Sequence, residues 1–172
     1  MEHTAMTYSV EQFADDIRAA LKADEGAAGR DAVRKLVEGV LADADFIAAH
    51  APPDADKERN VLYEDPDLGF CICAHVYNGE KMGKPHDHGP TWAIYGQADG
   101  ETEMTDWRMA EPPAGDTPGK VEQTRSYIMR PGDAHVYAPG DIHAPLRRGP
   151  TRLIRIEGKN TDKVERTKME AV

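Results

Sequence analysis

Beyond residue 54 the chain never sustains a helical period. Short runs rich in β-branched and aromatic residues alternate instead with Gly, Pro and Asp. They are Asn60–Tyr63, Phe70–Tyr77, Trp92–Tyr95, Thr102–Met109, Glu122–Met129, Ala134–Ala138 and Leu153–Glu157. Runs this short, bounded by turn formers, read as strands, and their number and spacing call for a β-sandwich or barrel. The Pro- and Gly-rich stretch Glu111–Lys120 reads as a surface loop between two of them.

The segment before has the opposite texture. Ser9 and Gln12 form a capping-box pair ahead of Phe13, Ile17, Ala20 and Leu21, which recur at helical spacing. The Gly26–Gly29 stretch breaks that helix, and Asp31 is the expected cap of a second one. Val33, Leu36, Val37, Val40 and Leu41 line its apolar face, and a short turn through Phe46 and Ile47 runs to Pro52–Pro53. The expected organisation is one domain: a helical segment over residues 1–53, a β-barrel over 54–160 that it packs against, and a frayed polar tail over 161–172.

Bulk properties remove several function classes. The mean hydropathy is −0.65, and no apolar stretch is long enough to span a bilayer, so a membrane partner is not expected. Met1–Ser9 lacks the basic and apolar regions of a secretory leader, which makes a cytoplasmic location the expectation. With 31 acidic against 21 basic residues the formal net charge is −10. Nucleic acid is a poor partner for such a chain, because neutralising phosphates takes clustered Lys and Arg. Cys71 and Cys73 lie two apart in a strand, with the chain extended between them, so they are expected as reduced, packed thiols.

Among the 7 histidines, His3 falls in the terminus, and His50 ends a helix, where a cation suits the dipole. His86 and His88 are different. They alternate within Pro85–His86–Asp87–His88–Gly89, so in an extended chain both imidazoles point the same way. A metal ion can take both but needs a third ligand. Pro139–Gly140–Asp141–Ile142–His143 puts a histidine after a Pro-Gly turn, at the start of a strand about fifty residues on.

These two segments, with Gly100 between them, resemble the paired motifs of the cupins. The resemblance implies a mainly β fold, the cupin double-stranded β-helix or jelly-roll barrel, with the α-helices at its N-terminus. It also implies one divalent metal ion on His86, His88 and His143. Many cupins carry a glutamate ligand four or five residues after the second histidine, where this chain has Trp92 and Ala93. Three neutral imidazoles and open positions suit Fe(II), Ni, Mn or Zn, with Fe(II) the first expectation. Cupins often dimerise through sheet edges, so a homodimer is a further expectation.

Arg59–Asn60–Val61–Leu62–Tyr63, Asp65–Pro66, the HxH after Phe70, Trp92 and Gly100–Glu101 are similar to the bacterial cysteine and 3-mercaptopropionate (thiol) dioxygenases. There an iron held by three histidines uses O₂ to oxidise a thiol to a sulfinate. That resemblance makes Arg59 the grip for a substrate carboxylate. It places Cys73, His75 and Tyr77 along the pocket and Trp92 beside the substrate. The family's C-terminal Ser-His-Tyr relay is missing: Leu153, Arg155 and Glu157 stand in those positions, while Gly158 and Asn160 are kept.

An inward register for this strand would leave Ile154 and Ile156 to pack beneath the helices. It would also make Glu157 a fourth ligand or general base with Arg155 beside it. The leading expectation is a mononuclear non-haem iron, dioxygenase-like oxidoreductase acting with O₂ on a small carboxylated or polar metabolite. The alternatives are a redox-neutral isomerase, lyase or hydrolase using Glu157 as base, and a non-catalytic cupin that binds a small molecule.

Overall fold

The computed structural model describes residues 7–172; His3 lies outside them. Helix α1 (Val10–Ala23) starts at Ser9, whose Oγ accepts from Gln12 N at 3.1 Å while Gln12 Oε1 accepts from Ser9 N at 2.9 Å. Its stripe of Phe13, Ile17 and Leu21 is buried. Helix α2 (Ala27–Leu41) begins before the expected cap. Asp24 Oδ1 accepts from Gly26 N at 2.7 Å, and Asp31 lies inside the helix, paired with Arg34 at 2.9 Å. Ala27 and Ala28 are strong helix formers, and they carry the turn through Gly29. Phe46 and Ile47, expected in a turn, sit on helix α3 (Ala44–His50), where Asp43 Oδ1 accepts from Phe46 N at 3.0 Å. No helix among the described residues is long and apolar enough to cross a membrane.

The strands are β1 (Arg59–Glu64), β2 (Cys71–Tyr77), β3 (Lys81–Met82), β4 (Ala93–Asp99), β5 (Thr102–Glu111), β6 (Gly119–Met129), β7 (Ala134–Tyr137), β8 (Ile142–Arg147), β9 (Thr151–Glu157) and β10 (Met169–Ala171). They form two five-stranded sheets in the orders β1-β2-β9-β4-β7 and β10-β6-β5-β8-β3. From β2 to β9 successive strands alternate between the two sheets, except that β5 and β6 pair as a hairpin in one of them, which is the jelly-roll order. The fold is a double-stranded β-helix, or jelly-roll barrel, with β1 and β10 each added at one edge.

Alternation along the strands sorts their residues. Ile72, Ala74 and Val76 of β2 and Ile154 and Ile156 of β9 point out of the barrel and join Phe13, Ile17, Val33, Val37 and Phe46 in the main apolar core. That core therefore lies between the helices and one sheet rather than inside the barrel. The barrel interior holds a smaller cluster of Ala93, Tyr95, Met104, Met129 and Tyr137. Beside it, Leu153 and Cys73 share the interior with buried polar groups, among them His75, His88, His143, Arg147 and Glu157.

The tail is not frayed. A 3-10 turn over Thr161–Lys163 follows Asn160, and β10 runs parallel to β6. In between, Thr167 N donates to Asp87 Oδ1 at 3.1 Å and Gly119 N donates to Lys168 O at 2.9 Å. These contacts are made mostly by backbone while the side chains stay polar, so no apolar pattern announces them. Two-residue β3 is equally silent, and in β8 Pro145 and Arg147 interrupt the alternation after His143.

Candidate metal centre

Two loops deliver the histidines. Asp141 N donates to Ala138 O at 3.0 Å across the Pro139–Gly140 turn, where Gly140 takes φ +85°, and β8 begins immediately after. His86 and His143 then exchange reciprocal backbone hydrogen bonds of 3.0 Å, which lock the two segments in register. Buried Asp87 braces the HxH loop by accepting from Gly89 N at 3.0 Å as well as from Thr167 N. Gly89, at φ +60°, has no room for a Cβ because the Glu165 carbonyl lies against it. The C-terminal tail thus straps down the loop that presents His86 and His88.

One nitrogen from each of His86, His88 and His143 lies within 4.8 Å of the others, and among the described residues no carboxylate or thiol joins this group. The hydrogen bonds assign tautomers. His86 Nδ1 donates to Lys84 O at 2.8 Å, leaving Nε2 with the lone pair. Arg155 Nη2 lies 3.1 Å from His88 Nε2 and can only donate, so that nitrogen is an acceptor too. Tyr95 Oη lies 3.0 Å from His88 Nε2 and 3.2 Å from His143 Nε2, yet has one proton for both. The Nδ1 atoms of His88 and His143 are buried without any partner among the described residues.

Burial, then the positive charge of Arg155, pushes His88 down to about 2. Burial lowers His86 to about 4 and takes His143 well below the usual imidazole value. All three are therefore neutral near pH 7, as metal ligation requires. A convergent trio of unprotonated imidazoles, with lone pairs that its neighbours only partly use, could hold one divalent ion.

Beside the trio, and reached by it through His86, is a cavity of about 270 Å³ whose lining includes Arg59, His75, Tyr77, Tyr95, Arg147 and Arg155. Glu157 is fully buried at its edge, and its carboxylate is already occupied. Arg59 forks it through Nη1 at 2.9 Å and Nη2 at 2.8 Å, and Thr161 donates from N at 3.1 Å and from Oγ1 at 3.0 Å. Arg155 Nε lies 3.0 Å away but off its N–H axis, so that contact is an ion pair without a hydrogen bond. Burial raises the Glu157 pKa, but the Arg59 hydrogen bonds and the charges of Arg155 and Arg59 outweigh it and hold the group at about 2. With its lone pairs taken and its basicity suppressed, Glu157 suits neither a fourth ligand nor a general base. By the same contact Arg59 is not free to grip a substrate.

His75 and Tyr77 do face the cavity. His75 Nδ1 lies 2.9 Å from Tyr77 Oη, and its Nε2 lies 3.5 Å from Arg59 Nη1. Burial, then Arg155 and Arg59, keeps the His75 imidazole neutral. Trp92 does not face the cavity. It packs on the helix side, where its indole Nε1 would lie 2.6 Å from a Cβ on Gly158. One position along, Ala93 points inward, and the alternation it starts aims Tyr95 at the histidines. Period two from Ala93 finds Tyr95, and period two from His143 finds Arg147; both signals are present in the sequence.

His135 lies elsewhere, stacked on Tyr127 at 4.9 Å between ring centroids. Cys71 and Cys73 are free and buried; burial pushes their thiols up to about 11 and about 12, so neither is a ready nucleophile.

No protein-family model matches the chain, and no curated protein matches it. Among solved structures, a cupin superfamily protein from Desulfitobacterium hafniense DCB-2 aligns with TM-score 0.46 and 12% identity over 64% of this chain and 86% of its own. KdgF from a Halomonas species gives 0.44 and 16% over 62% and 82%. An oxalate oxidase gives 0.43 and 16% over 62% of this chain and 54% of its own. At these scores the superpositions are loose, and the fold assignment rests on the strand order.

Proposed function

We propose that this chain is a mononuclear metal-dependent enzyme of the dioxygenase type, working with Fe(II) on a small carboxylated or polar metabolite. The observation that carries this reading is the convergence of His86, His88 and His143 beside a small polar cavity. When bound, a ferrous ion would supply the one-electron chemistry that lets O₂ react with a closed-shell organic molecule. The protein's own part is positioning and electrostatics. Arg155, its guanidinium 4.5 Å over the Tyr95 ring and one nitrogen on His88, offers positive charge to an anionic group beside the histidines. Tyr95 Oη is a proton carrier within hydrogen-bond reach of two of the ligands. The redox-neutral alternative loses its base, because Glu157 is ionised but fully engaged.

The test is O₂ uptake by protein loaded anaerobically with Fe(II), set against Zn(II)- and Mn(II)-loaded protein, over a panel of small carboxylates that includes cysteine and 3-mercaptopropionate. Iron-dependent, substrate-dependent uptake is expected with a carboxylate in the panel. Turnover of the two thiols is expected to be weak or absent, since Leu153, Arg155 and Glu157 replace the relay. Equal turnover with zinc and no O₂ uptake would overturn the oxygenase reading.

A further inference from the structure

Two cations lining the cavity, Arg147 and Arg166, have no hydrogen bond or ion pair among the described residues; Arg166 is exposed to solvent, and Arg147 alone is buried. Arg147 ends β8 on the same face as His143 and is 5% exposed, and no other lysine or arginine among the described residues is buried to that degree. It makes no hydrogen bond or ion pair among them, and its Nε is buried without a partner. Its only stabilising neighbour of note is the face of the Tyr77 ring, 4.6 Å from the guanidinium carbon. The other arginines buried about the cavity have carboxylates: Arg59 has Glu157 at 2.8 Å, and Arg155 shares Glu157 at 3.0 Å; Arg30, whose Nε also lacks a partner, sits on helix α2 away from the cavity. A desolvated cation without a counter-ion costs free energy that nothing in this fold returns. Burial even lowers the Arg147 pKa.

We infer that Arg147, and not Arg59, takes the anionic group of the substrate, and that this group is a carboxylate of a small molecule reaching from the histidine trio to the end of β8. This rests on reading the cavity beside the histidines as the substrate site. The cavity volume of about 270 Å³ lies just below the usual range of ligand pockets, which favours a small molecule. Tyr77 covers one face of the guanidinium and leaves its planar edge for the partner, the geometry that a planar carboxylate matches with two charge-assisted hydrogen bonds. His75, hydrogen-bonded to Tyr77 and kept neutral, adds no competing charge on that side.

The experiment is calorimetric titration of zinc-loaded and metal-free protein with succinate, its diamide and inorganic phosphate, together with thermal midpoints and metal content, in wild type, Arg147→Met and Lys81→Met. Wild type is expected to bind succinate in preference to the diamide and phosphate. Arg147→Met is expected to weaken succinate roughly 10- to 100-fold in both metal states, as loss of a charge-assisted pair does. Lys81→Met, which removes a cavity cation already paired with Glu58, is expected to weaken it far less. Without ligand, Arg147→Met is expected to melt higher than wild type, because an uncompensated buried charge is gone; a merely structural arginine would give the opposite shift. Unchanged succinate affinity in Arg147→Met, or a preference for phosphate that depends on Arg147, would overturn the inference. Metal content separates the two readings: normal zinc with unchanged succinate binding sinks Arg147 alone, whereas absence of zinc from wild type sinks the metal centre beside it.

Discussion

The sheet β1-β2-β9-β4-β7 has two faces that do opposite things with the same strands. Toward the helices, Ile72, Ala74, Val76, Ile154 and Ile156 are buried in one apolar core. Toward the barrel, their neighbours Cys73, His75, Tyr77, Arg155 and Glu157 meet one another and the histidines. The outer face stabilises the fold by area removed from water. The inner face is held by charge pairing that is costly to bury and of little net benefit. The contrast teaches that the barrel does not need its interior as a core: the helices provide one outside, so the interior can keep polar groups and a cavity. A site can then be built where a smaller barrel would need leucines.

The comparison breaks most visibly at Glu157. Glu157→Leu leaves Arg59 and Arg155 without their shared carboxylate and is expected to cost roughly 3–5 kcal/mol in urea unfolding. Stability equal to wild type would mean that the buried knot is solvated and the inner face is not what it is taken to be. Ile156→Ala, one residue away on the other face, is expected to cost about 2–5 kcal/mol through lost burial and a cavity, with metal content unchanged. Loss of metal together with stability would show that the two faces are not independent.

Acid sharpens the contrast further. The carboxyl of Glu157 sits at about 2 when folded, against an ordinary 4.5. Its contribution is therefore present above pH 4.5 and is lost as pH falls from there toward 2, on the order of 3 kcal/mol in all. The groups that hold it are Arg59 from β1, Arg155 from its own strand and Thr161 from the turn beyond; Cys73 from β2 lies 3.9 Å away. Denaturant midpoints from pH 6 to pH 3 should fall more steeply in wild type than in Glu157→Gln. Parallel curves would remove Glu157 from the account of acid sensitivity.

Much of this was legible in the residues. Helix stripes, a barrel of short strands, and the pairing of His86–Asp87–His88 with Pro139–His143 each carry a periodicity or a turn that physics reads locally. The inward register of β9 followed from Ile154 and Ile156 needing a core. What was not legible depends on partners far along the chain. Arg59 looks like a substrate grip until the fold puts Glu157 on its fork, a pairing across 98 positions. Trp92 sits one step out of phase with Ala93, and a one-residue slip sends a strand side chain to the other face. The end of the tail, over Thr167–Ala171, is held mostly through its backbone hydrogen bonds, for which no side-chain pattern exists.

The central claim is that three histidines make one metal site, and metal stoichiometry tests it most directly. Protein stripped with a chelator and reloaded anaerobically with Fe(II) or Zn(II) should hold about one ion per chain by elemental analysis. His88→Ala should lower the affinity roughly 100-fold or more, while His135→Ala, stacked on Tyr127, should match wild type. Binding no tighter in wild type than in His88→Ala, or equal loss in both variants, would contradict it.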